Sequence, residues 1–156
     1  MRDFSASLPM ALLQAREAAM QLFRPLLAEH DLTEQQWRVL RALSASDEPL
    51  EVGAIVDATF LLAPSLSRIL KDLDGRNLVR RSPVATDQRR AEISLTEHGY
   101  ALVASVAPQS EAIYNRIEEA FGDKALQRLL RQLAELRDTT NRIVTSPGDV
   151  TIGGTT

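Results

Sequence analysis

Residues 63–99 read APSLSRILKDLDGRNLVRRSPVATDQRRAEISLTEHG, and this stretch decides the fold. Apolar residues recur at helical spacing over residues 63–77, whereas Ile93 and Leu95 alternate with polar neighbours as in a half-exposed strand. The pattern predicts a helix, a strand over LVRRSPV (residues 78–84), a charged turn over ATDQRR (residues 85–90), a second strand over AEISL (residues 91–95) and a helix from TEHG. A β-hairpin is therefore expected directly after a helix.

The helix over residues 63–77 has an apolar face and a polar face. Pro64 suits the first turn, where its missing N–H costs nothing, although Ala63 before it has no capping side chain. Asn77 suits the left-handed position that ends a helix. Short hydroxyls and cations let such a face approach base edges and phosphates, although a solvated surface has the same pattern. The DNA-contact candidates on it are Ser65, Ser67, Arg68 and Lys71.

The turn of the predicted hairpin carries Asp87, Arg89 and Arg90. Arginines at an exposed tip suit the negative potential of a narrow minor groove, and Asp87 can hold one guanidinium in a fixed pose. A solvated charged turn is the alternative. Together the helix and hairpin favour a winged helix-turn-helix lobe in a mainly α (α+β) fold, with these three residues as further DNA-contact candidates.

The run DQRRAEISLTEHG, residues 87–99, resembles the wing signature of the MarR family, which is Asp-x-Arg, a strand and then Leu-Thr-x-x-Gly. LLQAREAAM (residues 12–20), FRP (residues 23–25) and LTEQQWR (residues 32–38) resemble the subgroup that regulates homoprotocatechuate (aromatic acid) degradation operons. The resemblance spans about residues 8–145. It implies a homodimeric repressor on a pseudo-palindromic operator, with paired terminal helices. It also implies an effector cleft between these helices and the DNA-binding lobe, filled by a small phenolic or aromatic carboxylic acid.

The first predicted helix, over about residues 8–29, places Arg16 within its apolar arc. A cation there needs a partner, either a carboxylate of its own or a partner subunit, or the carboxylate of a ligand. Trp37 is expected to pack in the core and is also suited to line an aromatic pocket. Arg38, beside it, is the second candidate cation. The predicted effector contacts are Leu12, Arg16, Met20, Phe23, Trp37 and Arg38.

The other predicted elements complete one domain. Thr33 and Gln36 form a capping box for a helix that ends near Ser44, SDEPL (residues 46–50) offers a small strand, and residues 51–58 form a short helix. Thr96 caps a helix to about residue 120, which Pro108 is expected to kink or interrupt, and a last helix follows over residues 124–144. We expect dimerisation helices at residues 8–30 and 97–145, a winged lobe at residues 33–96 and a disordered tail at residues 146–156.

Composition and charge agree with a DNA-binding protein. The chain of 156 residues has a net charge of −3, no cysteine and 44% hydrophobic residues. Residues 61–90 hold seven basic and three acidic side chains, a net charge of +4, whereas the rest of the chain carries −7. A basic face on an acidic body is the footprint of a salt-sensitive DNA binder. Because no membrane-spanning run or signal peptide is apparent, a cytoplasmic location is expected.

Enzyme signatures are missing from the sequence. It contains no phosphate-binding glycine loop, no Gly-x-Ser-x-Gly and no His-Glu-x-x-His, and His30 and His98 fall in different elements. No catalytic residue, metal site or cofactor is therefore expected. Three classes remain: a ligand-responsive transcriptional regulator, which we predict; a DNA-binding or architectural protein without an effector; and a helical dimerisation module.

Overall fold

The computed structural model describes residue 4, residues 7–84 and residues 87–145, with the backbone alone at residues 84 and 87–89. The elements are α1 Leu8–Glu29, α2 Glu34–Ser44, β1 Leu50–Glu51, α3 Val52–Thr59, α4 Ala63–Gly75, β2 Val79–Val84, β3 Asp87–Leu95, α5 Glu97–Phe121 and α6 Asp123–Thr145. The strands form one antiparallel sheet in the order β1-β3-β2. The predicted class, mainly helical with a winged helix-turn-helix, is confirmed.

The chain divides into two compact units, Met1–Ile113 and Tyr114–Thr156. The assignment of dimerisation helices and a winged lobe stays a prediction, and the predicted tail lies outside the described residues. No single helix of the described part of the chain is long and apolar enough to cross a membrane. Only α3 and α4 taken together, at 110° to each other, have that length and composition.

Local capping signals set the start of α2. The Thr33 hydroxyl accepts a hydrogen bond from the Gln36 N–H at 3.2 Å, and the Gln36 side chain accepts one from the Thr33 N–H at 2.8 Å. This is the predicted capping box, and it satisfies two N–H groups that have no partner within the helix. The inner face of α2 then supplies Val39, Leu40 and Leu43 to the core.

The core fixes the rotation of α4 about its axis, because Leu66, Leu70 and Leu73 are all buried. Asn77 adopts φ 54° after the helix, and the Leu78 N–H reaches back to the Leu73 carbonyl at 2.9 Å. The left-handed position predicted for Asn77 is therefore confirmed. The start of α4 differs slightly, since Ala63 is already helical and Leu62 is the uncapped residue before it.

The hairpin corrects the predicted boundaries of the wing. Val84 pairs with Asp87 and Pro83 pairs with Ala91, so residues 88–90 are extra on β3 and form a bulge. Asp87 and Arg90 therefore belong to a nine-residue strand rather than to a six-residue turn. The small strand predicted from SDEPL is confirmed as β1, which pairs Leu50 with Ile93.

Thr96 connects the sheet to α5. Its hydroxyl accepts a hydrogen bond from the Gly99 N–H at 3.0 Å and donates one to the Asn77 carbonyl at 2.6 Å. The predicted cap of α5 is confirmed. Pro108 was expected to kink or interrupt this helix; an interruption is wrong, because α5 continues through it, and a kink stays a prediction. Proline removes only one backbone hydrogen bond, and the buried Val106 and Ser110 hold the helix on either side.

The second unit contains the end of α5 and all of α6. Gly122, with φ 92°, separates the two helices. Within the single chain α6 has no buried residue. Its exposed apolar side chains are Leu129, Leu130, Leu133, Ile143 and Val144.

Candidate DNA interface and effector region

The outward face of α4 brings four predicted DNA contacts together. Burial of the leucine face leaves the side chains of Ser65, Ser67, Arg68 and Lys71 exposed on this one helix. Hydroxyls lie towards its N-terminal end, and Lys71 follows Ser67 by about one turn. Such a surface can present short donors and a guanidinium to base edges, with an ammonium group for phosphate.

A groove of about 300 Å³ runs between α4 and the sheet. Ser67 and Lys71 line it from α4, and Arg81 lines it from β2, so a third polar or basic group joins the predicted set. Sequence reasoning missed Arg81. Its position follows from the strand register, in which Arg81 lies opposite Ile93. Asp74 also lines the groove and limits its positive charge.

Arg76 has a structural role instead. Its guanidinium donates to the Asp31 carbonyl at 2.9 Å and lies 3.7 Å from the Asp72 carboxylate. These contacts join α4 to the segment after α1. A net charge counted along the sequence therefore overstates the positive charge available for DNA.

Of the three charged residues predicted for the wing tip, the structure describes the side chain of Arg90 alone. Arg90 lies on β3, and its guanidinium donates to both carboxylate oxygens of Glu51 at 2.5–2.9 Å. Arg90 is therefore not part of a solvated charged turn, because its ion pair joins the wing to the residue that precedes α3. The side chains of Asp87 and Arg89 lie outside the described residues, and their contact with the minor groove stays a prediction.

Four charged side chains form a closed ring between α1 and α2. The two oxygens of Glu34 accept hydrogen bonds from Arg16 and Arg24, each at 2.5 Å. The two oxygens of Glu17 accept from the same two arginines. The ring has two positive and two negative charges, so each guanidinium already bridges two carboxylates.

This ring corrects the expected burial of Arg16. Its side chain is 41% exposed, although the apolar arc of α1 placed it on the buried side. Within the chain, α1 buries only Phe23, Leu26 and Leu27, and its N-terminal half is uncovered. The own-chain carboxylate partner, one of the two interpretations of Arg16, is present in the form of Glu17 and Glu34.

The ring lowers the pKa of both glutamates. Burial of Glu34 opposes its ionisation, but the hydrogen bonds from Arg16 and Arg24 outweigh burial and lower its pKa. For Glu17 the hydrogen bond from Arg24 is the largest cause, and its pKa is also lowered. Glu34, whose side chain is only 14% exposed, is the least exposed member of the ring. Sequence reasoning missed it, although an acidic residue in the first turn of a helix was a visible signal.

None of the cavities described for residues 7–84 and 87–145 is lined by more than one of the six predicted effector contacts. An open cavity of about 460 Å³ beside the ring has Arg16 in its lining, with none of the other five. Phe23 is buried, and Met20 and Trp37 pack against the hydrophobic core. The core role expected for Trp37 is confirmed.

The remaining two predicted effector contacts differ in their surroundings. Leu12 is 41% exposed. Arg38 donates to the Thr59 carbonyl at 3.0 Å and thus supports the end of α3. Arg41, which the prediction did not include, lies 5.8 Å from the centre of the Trp37 ring. Among the described residues no group of three or more His, Asp or Glu side chains is placed to hold a metal ion.

Comparison with known proteins places the chain in a family. A model of the MarR family matches residues 30–90. The homoprotocatechuate degradative operon repressor of Escherichia coli is 42% identical over 144 residues, which cover 92% of this chain and 97% of the repressor. The chain belongs to the MarR family.

Two solved structures extend the comparison of this MarR chain. NadR in complex with 4-hydroxyphenylacetate is 36% identical, with a TM-score of 0.76 over 87% of this chain and 96% of NadR. CouR bound to a 23-mer DNA duplex is 28% identical, with a TM-score of 0.78 over 85% of this chain and 94% of CouR. The family consists of DNA-binding transcriptional regulators that are dimers, and the chain is a regulator rather than an enzyme.

Proposed function

We propose that this regulator is a repressor that binds a pseudo-palindromic operator as a dimer and is released by a small phenolic or aromatic carboxylic acid, and that it controls an aromatic-compound catabolism operon. It acts in the cytoplasm, where a bacterial operator lies. The observation that carries the DNA-binding part is the exposed polar face of α4, backed by a fully buried leucine face. The effector part is supported by relatives named for homoprotocatechuate and solved with 4-hydroxyphenylacetate.

Dimerisation is supported by apolar side chains that a single chain leaves exposed. Leu8, Leu12 and Leu13 of α1 are 41–48% exposed, and Leu130 of α6 is 57% exposed. A second copy is the simplest cover for helices with such apolar faces. Two lobes on a two-fold axis then present two copies of α4, which suits two half-sites of a palindrome.

We assign different roles to the two cations of α4. Arg68 lies nearer the N-terminal end, where recognition helices meet base edges, and its fork suits guanine. Lys71 lies two turns along the helix and suits phosphate. Arg68→Ala is therefore expected to weaken the preferred operator by about 1–3 kcal/mol and to relax base preference. Lys71→Ala is expected to weaken all sequences about equally and to lower the salt slope by about one.

Mobility shifts with operator variants at two or more salt concentrations test these roles. If the two variants change base preference and salt slope alike, the division into base contact and phosphate contact is wrong. If the wild-type dimer binds no duplex more tightly than random DNA, the proposed function itself is wrong.

For the effector we propose that its carboxylate binds Arg16 and takes the place of one glutamate of the ring. The other predicted contacts would surround the aromatic group of the acid or support its pocket; they are Leu12, Met20, Phe23, Trp37 and Arg38. A charge-assisted fork contact contributes about 1.5–3 kcal/mol, so Arg16→Ala is expected to weaken binding by about 10- to 100-fold.

Arg24 provides a matched control, because it binds the same two glutamates and is 42% exposed, against 41% for Arg16. Calorimetry compares hydroxyphenylacetates, hydroxybenzoates and hydroxycinnamates on wild type, Arg16→Ala and Arg24→Ala. Loss in the Arg16 variant alone supports direct contact. An equal loss of effector affinity in both variants would show that binding depends on the intact ring of four charged side chains and not on a direct contact with Arg16.

A DNA-binding regulator without an aromatic effector is the second candidate. The observation that favours it is the ring itself, because Glu17 and Glu34 already neutralise Arg16. This candidate predicts that no aromatic acid binds wild type and that none changes its affinity for the operator.

A further inference from the structure

The turn between α3 and α4 exposes two large apolar side chains. Phe60 is 82% exposed and Leu62 is 76% exposed. They are the only large apolar side chains exposed to more than about a third among those described between residues 33 and 96. The other exposed apolar residues of comparable size lie at residue 4 and on α1, α5 and α6, where a second copy can cover them. The exposure at this turn therefore needs a separate explanation.

Phe60 also has an unusual backbone conformation. Three non-glycine residues of the described chain have a positive φ, namely Asp31, Phe60 and Asn77. Asp and Asn enter the left-handed region readily, whereas a bulky residue such as Phe does so at a steric cost. Phe60, with φ 55°, obtains no burial in return. Glycine would suit this position of the fold better.

The turn is nevertheless held firmly. Leu61, between the two exposed residues, is buried. The Arg38 guanidinium donates to the carbonyl of Thr59, and the hydroxyl of Thr59 donates to the Ile55 carbonyl at 2.6 Å. Leu62 is tied to α4 by its carbonyl, which accepts the Leu66 N–H at 2.9 Å. Phe60 and Leu62 are thus presented to the surroundings by a braced turn.

The exposed pair continues directly into the N-terminal end of α4. Leu62 is the residue before the helix, and Ala63, Pro64 and Ser65 are exposed after it. In a helix-turn-helix this end of the recognition helix points at the bases. The apolar feature that the major groove offers is the methyl group of thymine.

We propose that Phe60 and Leu62 contact thymine methyl groups at the edge of each operator half-site, and so contribute to the choice of DNA sequence. The inference rests on the proposed DNA-binding function. Duplex DNA is favoured as the occupant because the pair is continuous with the polar face of α4. A second copy or another protein would have to cover the turn without covering that face.

Replacement of thymine by deoxyuridine tests the contact, because it removes the methyl group and leaves base pairing intact. The probe is the tightest duplex that wild type selects from a random pool, with each thymine replaced in turn. Burial of one methyl group corresponds to about fourfold in affinity, so one or two positions per half-site are expected to show about that loss with wild type. With Phe60→Gly and Leu62→Ala the loss at those positions is expected to shrink towards none.

Two further measurements separate the contact from other roles. Lys71→Ala, which weakens binding through phosphate, is expected to keep the full wild-type ratio between thymine and deoxyuridine. Phe60→Gly is expected to keep or raise the melting temperature, since glycine accepts a positive φ. A large fall in melting temperature would show that Phe60 is needed for folding and would overturn the proposal.

The outcomes distinguish this inference from the function on which it rests. If wild type selects no duplex, the DNA-binding proposal fails. If wild type binds tightly but is indifferent to every deoxyuridine, or if Phe60→Gly and Leu62→Ala keep the wild-type ratios, only the thymine contact fails. Loss of self-association in the Phe60 variant would assign the turn to a second copy instead.

Discussion

Gly99→Ala is expected to destabilise this protein strongly, although it adds one methyl group to a helix. Gly99 lies in the first turn of α5, and a Cβ atom there would lie 2.0 Å from the carbonyl oxygen of Leu78 and 3.2 Å from a methyl carbon of Leu95. Leu78 is buried, and its carbonyl accepts the Thr96 N–H at 3.2 Å. The obstacle is backbone in the core rather than a flexible side chain.

The size of the effect follows from these contacts. Ordinary van der Waals contact begins at 3.4 Å, so α5 and the backbone of Leu78, the residue before β2, must separate by more than about 1 Å. Forcing a methyl group into a packed site costs about 1–3 kcal/mol. Weakening the hydrogen bond between Thr96 and Leu78 adds about 0.5–1.5 kcal/mol. The free energy of unfolding is therefore expected to fall by roughly 2–4 kcal/mol.

Two other glycines supply matched controls. A Cβ atom at Gly53 or Gly75 would meet nothing within 4 Å. Because alanine favours helix over glycine, Gly53→Ala in α3 is expected to be neutral or to stabilise by up to about 1 kcal/mol. Urea unfolding gives the free energy of unfolding of Gly99→Ala, Gly53→Ala and Gly75→Ala. All three are measured at one protein concentration, since dimers unfold in a concentration-dependent way. A Gly99→Ala protein as stable as Gly53→Ala would refute the steric argument.

Three further predictions concern the interface, the wing and the charged ring. Leu133→Asp is expected to give monomers or aggregates by light scattering, because a charge would be buried at the face of α6 that we propose to pair with a second copy; an unchanged dimer would exclude this face from the interface. Glu51→Gln is expected to weaken operator binding without a change in dimerisation, because it removes the negative charge that pairs with Arg90 and so weakens the link between the wing and the residue before α3; the double variant Glu51→Arg with Arg90→Glu should recover part of the loss, and no recovery would argue against the ion pair. The folded chain lowers the pKa of Glu34 below its ordinary value of 4.5, so the ionised carboxylate stabilises the fold at any pH above 4.5. This stabilisation is lost as the pH falls through the lower folded-state pKa. Urea unfolding of wild type should therefore lose stability on acidification more steeply than Glu34→Gln, and parallel pH profiles would contradict this role.

Signals confined to a few neighbouring residues could be interpreted from the sequence. The capping box of Thr33 and Gln36, the left-handed Asn77 and the Thr96 cap each depend on atoms within about four positions along the chain. The buried face of α4 was equally accessible, because helical periodicity alone separates leucines from Ser67 and Lys71. These local signals determined the class of fold and the face that we propose to meet DNA.

The tertiary structure decided which carboxylate each arginine pairs with. Arg16 meets Glu34 across 18 positions of sequence and Arg90 meets Glu51 across 39. Such pairs depend on how far α2 reaches along α1 and on the register of β1 with β3, which periodicity does not specify. The register of β2 with β3 brings Arg81 into the groove beside α4. A charge shows its sign in the sequence, but whether it can serve a ligand depends on the partners that packing brings within a few ångströms.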